Sequence, residues 1–316
     1  MPPLDIATRR RRTWLVISGL FVLLVPLLVP LPPQVRHDPT LNLLGDRVHV
    51  LIFAGLTWLL HVIGPLRGRP LGSAVAAAAI GVVSEVLQQF VGRSPLVSDF
   101  ALDLLGIGLA LTWIQWRRGR GRAMLAAAAF LLVVLAYTMR EAPTMFRAMV
   151  ESRRNFPVLA DFASRDQLAL WRKRSDEDCR LVSVGAPRGE VLHVSTAGRN
   201  AWPGVNARRL PADWSGYSEL VLEARLQSPA PDSLRLGVRL DDYESREDKQ
   251  WASKGYWITH AWRTLRMPLA DLQTDQGDRP FGVRDILSLT VFLARPGRPA
   301  AFEIDNVRLE APRPGD

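Results

Sequence analysis

Cys179 is the one cysteine among the 316 residues, so no disulfide can close within the chain, and any soluble part must hold together by packing. No internal repeat and no dinucleotide-binding glycine fingerprint occurs, which removes repeat architectures and Rossmann folds from consideration. His-x-x-x-His, His-Glu-x-x-His and phosphatase-like motifs are also missing, so the common hydrolytic metal sites leave no signature here. No Ala-x-Ala-like cleavage site follows the first apolar run, which therefore reads as a retained helix and not as a signal peptide.

What is present divides into two unlike halves. A mean hydropathy of +0.04 averages residues 1–140, mostly apolar runs broken by arginine clusters, with residues 150–316, which have the composition of a soluble domain. The net charge of +9 would suit nucleic acid, but many arginines sit in short loops between apolar runs. That placement is how a membrane protein sets its orientation, so no nucleic-acid partner is expected.

Five runs approach the roughly 17 to 25 residues that span hydrocarbon: 14–31, 48–66, 71–91, 96–116 and 123–139. With the N-terminus inside, Arg9 to Arg12, Arg67, Arg69, Arg117, Arg118, Arg120 and Arg122 lie on the cytoplasmic side, against Arg36, Arg47 and Arg93 outside. Five crossings then deliver everything after Arg140 to the extracytoplasmic side. The expected location is a bacterial inner or plasma membrane, with the C-terminal domain in the periplasm.

Charged groups inside these runs are costly in lipid and usually mark function. The orientation puts Asp46 and His49, then Glu85, Gln89 and Arg93, then Asp99 and Asp103 into one outer layer. Ser73, Ala77, Gly81, Glu85 and Gln89 follow at four-residue steps, and Asp99, Asp103, Gly106 and Ala110 share a second face. Small residues there let membrane helices approach closely, predicting a tight three-helix bundle around an outward polar pocket. The cluster reads as a structural network, as a site for a polar headgroup, sugar or cation, or as a metal-assisted centre using His49, Glu85, Asp99 and Asp103.

Asp46-x-x-His49, Glu85-x-x-x-Gln89-x-x-x-Arg93, Ser98-Asp99 and Asp103-x-x-Gly106 resemble the VanZ-like family of small bacterial membrane proteins over about residues 40–116. Arg47 stands where that family often has lysine, and Asp103 where it often has asparagine. The resemblance implies an envelope role: the family takes its name from a protein linked to glycopeptide-antibiotic resistance. Its members are often associated with envelope polysaccharide, and no agreed catalytic mechanism comes with it.

From residue 156 on, short alternating runs separated by turn residues predict an all-β sandwich, with strands at 219–225, 234–240, 263–267, 287–293 and 302–309. Asp161-Phe162, Asp213-Trp214-Ser215, the run from Trp262 to Leu269 and the closing Ile304-Asp305-Asn306-Val307 resemble galactose-binding-like jelly rolls, which include carbohydrate-binding modules. Some of those hold a structural calcium, which makes Asp161 and Asp305 its candidate oxygen ligands, set against a plain bulge at Asp305-Asn306. Sugar recognition needs flat aromatic faces and polar side chains. Residues 239–262 offer Arg239, Asp241, Asp242, Tyr243, Trp251, Tyr256 and Trp257, with 244–249 read as an exposed loop. Trp214 and Trp262 read as structural.

The expected chain is therefore multi-domain: an all-α transmembrane bundle of five helices at 1–140, a partly helical juxtamembrane linker at 141–155, and an all-β jelly-roll sandwich at 156–312. The expected partners are membrane lipid, a glycan or polysaccharide, and other envelope proteins. The leading reading is non-catalytic. A transporter or lipid-headgroup binder, and a metal-assisted membrane hydrolase, are the alternatives.

Overall fold

A computed structural model describes residues 6–28, 47–90, 97–119, 121–174, 177–228, 231–277 and 279–312. Two compact units emerge, and Arg140 is the last residue of the first.

The first unit contains α1 (Ile6–Leu28), α2 (Val48–Val62), α3 (Pro70–Phe90), α4 (Val97–Arg117) and α5 (Gly121–Thr138). Pro70 opens α3, where a missing N–H costs nothing. Phe53 and Leu56 of α2 are fully buried and form a core with Ile52, Leu60, Ala74, Ala77 and Ile107. The small-residue face lets backbones meet: a Cβ on Gly106 of α4 would stand 2.3 Å from the Val50 carbonyl oxygen of α2. Helix α5 buries none of its residues. Among the described residues two helical runs, Pro70–Leu87 and Gly121–Asn155, are long and apolar enough to cross a membrane by length and composition. The apolar parts of α1 and α2, Thr13–Val25 and Val48–Val62, are shorter. Of the five expected spans, two thus meet that measure.

The second unit begins with α6 (Ala142–Asn155), a helix over the stretch expected as a partly helical linker. Its spacing buries Met145, Ala148, Met149 and Ser152, and Arg153 and Arg154 in the last turn complement the helix dipole. That face packs on a 3₁₀ turn, Arg165–Leu170. Gln167 of the turn joins the two, donating to Glu151 at 3.0 Å and to Asp161 at 2.7 Å. The segment belongs to the sandwich because an apolar stripe at helical spacing needs a partner surface, and the turn provides one.

Eleven strands follow among the described residues: β1 (Val158–Ala160), β2 (Trp171–Lys173), β3 (Asp178–Gly185), β4 (Gly189–Thr196), β5 (Gly204–Arg208), β6 (Glu219–Leu226), β7 (Ser233–Asp242), β8 (Ala252–Thr259), β9 (Arg263–Pro268), β10 (Ile286–Leu293) and β11 (Ala300–Glu310). A one-turn helix, α7 (Ser245–Asp248), lies between β7 and β8 where a loop was expected. One sheet runs β3-β4-β11-β6-β9 with β1 also on β11, and the other runs β2-β5-β10-β7-β8. The pairings are antiparallel; β3–β4 and β7–β8 are consecutive strands, while the other neighbours are distant in sequence, as in a jelly roll. The alternation predicted at 234–240 turns Leu236, Val238 and Leu240 inward, all fully buried. Trp214 is fully buried as well, its indole N–H donating to Pro211 O at 2.7 Å.

Candidate functional site

Two places concentrate chemistry, one in each unit. In the helical unit His49 stands in the first turn of α2, Glu85 on α3 and Asp103 on α4, and all three are buried. The His49 ring N–H at Nδ1 donates to Asp103 Oδ1 at 2.8 Å. One ligand-capable atom of each residue lies within 4.8 Å of the others. Gly81 makes the room, because a Cβ there would come within 3.0 Å of Asp103 Oδ2. That second carboxylate oxygen is buried with no hydrogen-bond partner among the described residues. Imidazole nitrogen with carboxylate oxygens suits zinc, manganese or iron better than calcium. This is the one group of three or more such side chains found among the described residues, and neither Asp161 nor Asp305 belongs to one.

Of the seven residues that the sequence grouped, the structure gathers these three. Asp99 instead lines a hollow of about 510 Å³ with Arg47 and apolar side chains of α4 and α5. Asp46 and Arg93 lie outside the described residues, as does the side chain of Gln89.

In the sandwich, the outer face of the β2-β5-β10-β7-β8 sheet forms the second place. Strand alternation and register set three rows across it. Arg172, Asn206, Thr290, Arg239 and Ser253 face one another in turn on the five strands. Beside them Ser288 lies between Arg208 and Asp241. On the other side Phe292 lies between Gly204 and Gly237. A Cβ on Gly237 would stand 2.3 Å from the Phe292 ring, so glycine is what leaves room for the end of that ring against β7. Trp202 meets Phe292 edge-on at 5.7 Å.

Hydrogen bonds hold these groups in place. Asn206 donates to Thr290 at 2.6 Å and to Ser288 at 3.1 Å, and Ser288 donates to Asp241 at 2.7 Å. Arg239 donates through Nε to Asp241 at 2.9 Å and lies 3.7 Å above the Trp251 ring. Two adjoining hollows result, of about 520 and 430 Å³, sharing Arg174 and Arg239. Trp202 and Trp251 line the second.

The seven sugar-contact candidates therefore divide. Arg239, Asp241 and Trp251 line the hollows, and Trp257 is exposed on the same face opposite Arg235. Asp242 and Tyr256 are engaged elsewhere. Asp242 is buried and gripped by Arg279, Ser245 and Gly282. Tyr256 faces the opposite sheet, donating to the Arg266 carbonyl at 2.6 Å, and burial pushes its hydroxyl well above the usual phenol range. Tyr243, in the turn after β7, lines neither hollow. Sequence reasoning missed Arg172, Arg174, Asn206, Gly237 and Phe292, whose neighbours only the strand order supplies.

The calcium candidates have other partners. Asp161 accepts from Gln167 and from Ala163 N–H. Asp305 lies where the β11–β6 register shifts, followed by Asn306 at a φ of 51°, and it accepts from Arg188 at 3.3 Å. The register breaks where the bulge alternative puts it. Burial outweighs these bonds and raises the Asp305 carboxyl above its usual range. Trp262 lies under the guanidinium groups of Arg188 and Arg225, 4.2 and 4.8 Å away.

No protein-family model matches the chain. Beta-agarase B of Vibrio sp. (strain JT0107) is 23% identical over 163 residues, an alignment that takes in 41% of this chain and 17% of the agarase. The chain thus spans less than a fifth of that relative. The family 11 carbohydrate-binding module of the Clostridium thermocellum cellulase Lic26A-Cel5E is 16% identical, covering 49% of this chain and 94% of the module at a TM-score of 0.39. The xylan-binding CBM22-2 domain of Paenibacillus barcinonensis Xyn10C is 18% identical, covering 48% and 98% at 0.35. An exo-beta-agarase is 11% identical, covering 50% and 25% at 0.42.

Proposed function

We propose that the chain is a multi-pass protein of the bacterial inner or plasma membrane that displays a non-catalytic, glycan-binding β-sandwich outside the cytoplasm. The observation that carries the glycan part is the outer sheet face: two indoles, a phenyl ring packed against a glycine, and fixed hydroxyl, amide and guanidinium groups. Flat apolar faces suit sugar C–H groups, while the polar row suits hydroxyls. The sequence likeness to a beta-agarase points the same way. Membrane residence is supported by exposed apolar surface: Leu51, Leu71, Val75, Phe130 and Val133 are each about two-thirds exposed or more, and α5 buries nothing. Water would penalise such a surface and lipid would not. The resemblance of residues 40–116 to the VanZ-like family adds an envelope setting.

Binding is tested with the full-length chain in nanodiscs of zwitterionic lipid, screened against a broad polysaccharide panel. Trp251→Ala and Trp202→Ala are each expected to weaken a bound glycan about thirtyfold, the scale of losing one aromatic anchor of about 2 kcal/mol. Retention of full affinity by both variants, or an empty panel, removes the reading. Orientation is checked separately by cysteine labelling in intact cells. A cysteine in place of Arg188 would break its ion pair with Asp305, so exposed Arg199 is the better position, and Arg199→Cys should react with an impermeant reagent from outside. Labelling only after lysis would put the sandwich in the cytoplasm.

A further inference from the structure

We infer that the groove on the five-stranded sheet takes a polyanionic glycan, one bearing carboxylate or sulfate groups, in preference to a neutral one. This rests on the glycan-binding reading above and narrows its ligand class. The first hollow is lined by Arg172, Lys173, Arg174, Arg208 and Arg239 against a single acid, Asp241. The second adds Arg235 against Asp275, while Lys254 turns to the Tyr256 side of β8.

Neither acid is spare. Asp241 accepts from Arg239 and Ser288, and Asp275 accepts from Ser253 N–H at 2.8 Å and Ser253 Oγ at 2.6 Å. Arg172, Lys173, Arg174, Arg208 and Arg235 form no ion pair with a carboxylate among the described residues. Arg174 also stands beside Arg239. Burial, and then that like charge, lower its pKa, with Asp241 and Glu177 acting in the opposite sense. An anion between the two guanidinium groups would relieve their repulsion, and guanidinium matches carboxylate and sulfate oxygens with paired N–H groups.

The layout suits a chain more than a lone ion. At a strand spacing of about 4.8 Å, Arg172 on β2 and Arg239 on β7, three strands apart, are separated by roughly 14 Å of sheet. Arg235, on β7 and on the same outer face as Arg239, extends the cationic line toward Trp202 and the second hollow. A neutral glycan would leave all these cations to water alone.

The full-length chain in zwitterionic nanodiscs is titrated with polygalacturonate and its carboxyl-reduced form, and with carrageenan and its desulfated form. At least one charged member is expected to bind about tenfold or more tightly than its neutral counterpart, and to weaken steeply between low and high salt. Arg172→Gln and Arg208→Gln, both exposed, should each weaken that binding several-fold. Arg180→Gln, exposed on β3 of the other sheet, should not. Equal binding of charged and neutral forms overturns the inference while leaving the glycan reading intact. Binding of no glycan at all removes both. Equal loss in Arg180→Gln, or tighter binding of phosphatidylglycerol vesicles or duplex DNA than of any polyanionic glycan, also overturns it.

Discussion

Asp242→Ala is expected to lower the melting temperature of the β-sandwich by roughly 10 °C at pH 7, read by near-UV circular dichroism of the full-length chain. The carboxylate is 2% exposed at the end of β7. It accepts from Arg279 Nη1 at 2.6 Å and Nη2 at 2.8 Å, from Ser245 N–H and Oγ at 2.9 and 2.7 Å, and from Gly282 N–H at 2.9 Å. Removing one partner of a buried pair costs about 3–5 kcal/mol. Arg279 keeps Asp248 at 2.6 Å and Glu244 at 3.3 Å, so the loss here sits at the low end of that range. It falls mainly on the Ser245 and Gly282 N–H groups left without an acceptor. The cost also spreads along the chain, since Asp242 ties the α7 turn and the segment at 279–282 to the sheet. Burial alone would raise this carboxyl, but the bonds from Arg279, Ser245 and Gly282 outweigh it and hold the pKa below the usual range. A depressed folded-state pKa stabilises above the unfolded value of about 3.9 and loses that contribution as pH falls through the folded value. Wild-type and variant melting curves should therefore begin to converge as pH falls below about 4. A shift of less than about 3 °C at pH 7, or one that is the same at pH 3, would contradict this account.

The same dependence on cross-strand partners decides how much of the molecule was legible in the sequence. The five strands predicted from alternation all exist, because a half-buried strand with Leu, Val or Ile at every second position announces its period. The face of each residue is harder to read. On β8 the order Ala-Ser-Lys-Gly-Tyr-Trp-Ile-Thr has no clean alternation, so Tyr256 and Trp257 looked equally available. Register places Trp257 outward opposite Arg235, and Tyr256 inward where its hydroxyl finds Arg266 O. The basic groove was hidden for a different reason. Its members come from β2, β5, β7, β8 and β10, and β2 is a three-residue strand too short to show any period. Their adjacency follows from the jelly-roll strand order, and no local pattern encodes that. Helix α6 was half visible: its apolar stripe was in the sequence, but the 3₁₀ turn it covers was not.

In the helical unit the spacing argument carried further, since α-helical geometry converts sequence separation directly into a shared face. It brought Gly81 and Glu85 to one side of α3 and Asp103 and Gly106 to one side of α4, and the close approach at Gly106 follows. It could not separate Asp99 from Asp103. They share a face at one helical turn, about 6 Å apart along the axis, and that turn divides a residue that meets His49 from one that lines a different hollow.

Asp103→Ala is expected to abolish recovery of a folded, monodisperse chain from detergent, because the loss falls where water cannot compensate. Asp103 is 0% exposed and His49 5% exposed, and their 2.8 Å bond joins α4 to the first turn of α2. Without the carboxylate, the His49 N–H is left buried without its acceptor, at a cost of several kcal/mol in a low-dielectric setting. The alanine would also leave a void against Gly81, which lies beside the carboxylate. Asp103→Asn separates two roles for the cluster. The amide oxygen can still accept from His49, so a purely structural pair predicts near-normal yield and thermal stability for the asparagine variant. A working site for a cation or a polar headgroup needs the negative charge, and there the asparagine variant folds but loses binding of that cation or headgroup, read by titration of wild-type and variant chains. Full recovery of Asp103→Ala would show that the bond to His49 does not hold α2 and α4 together.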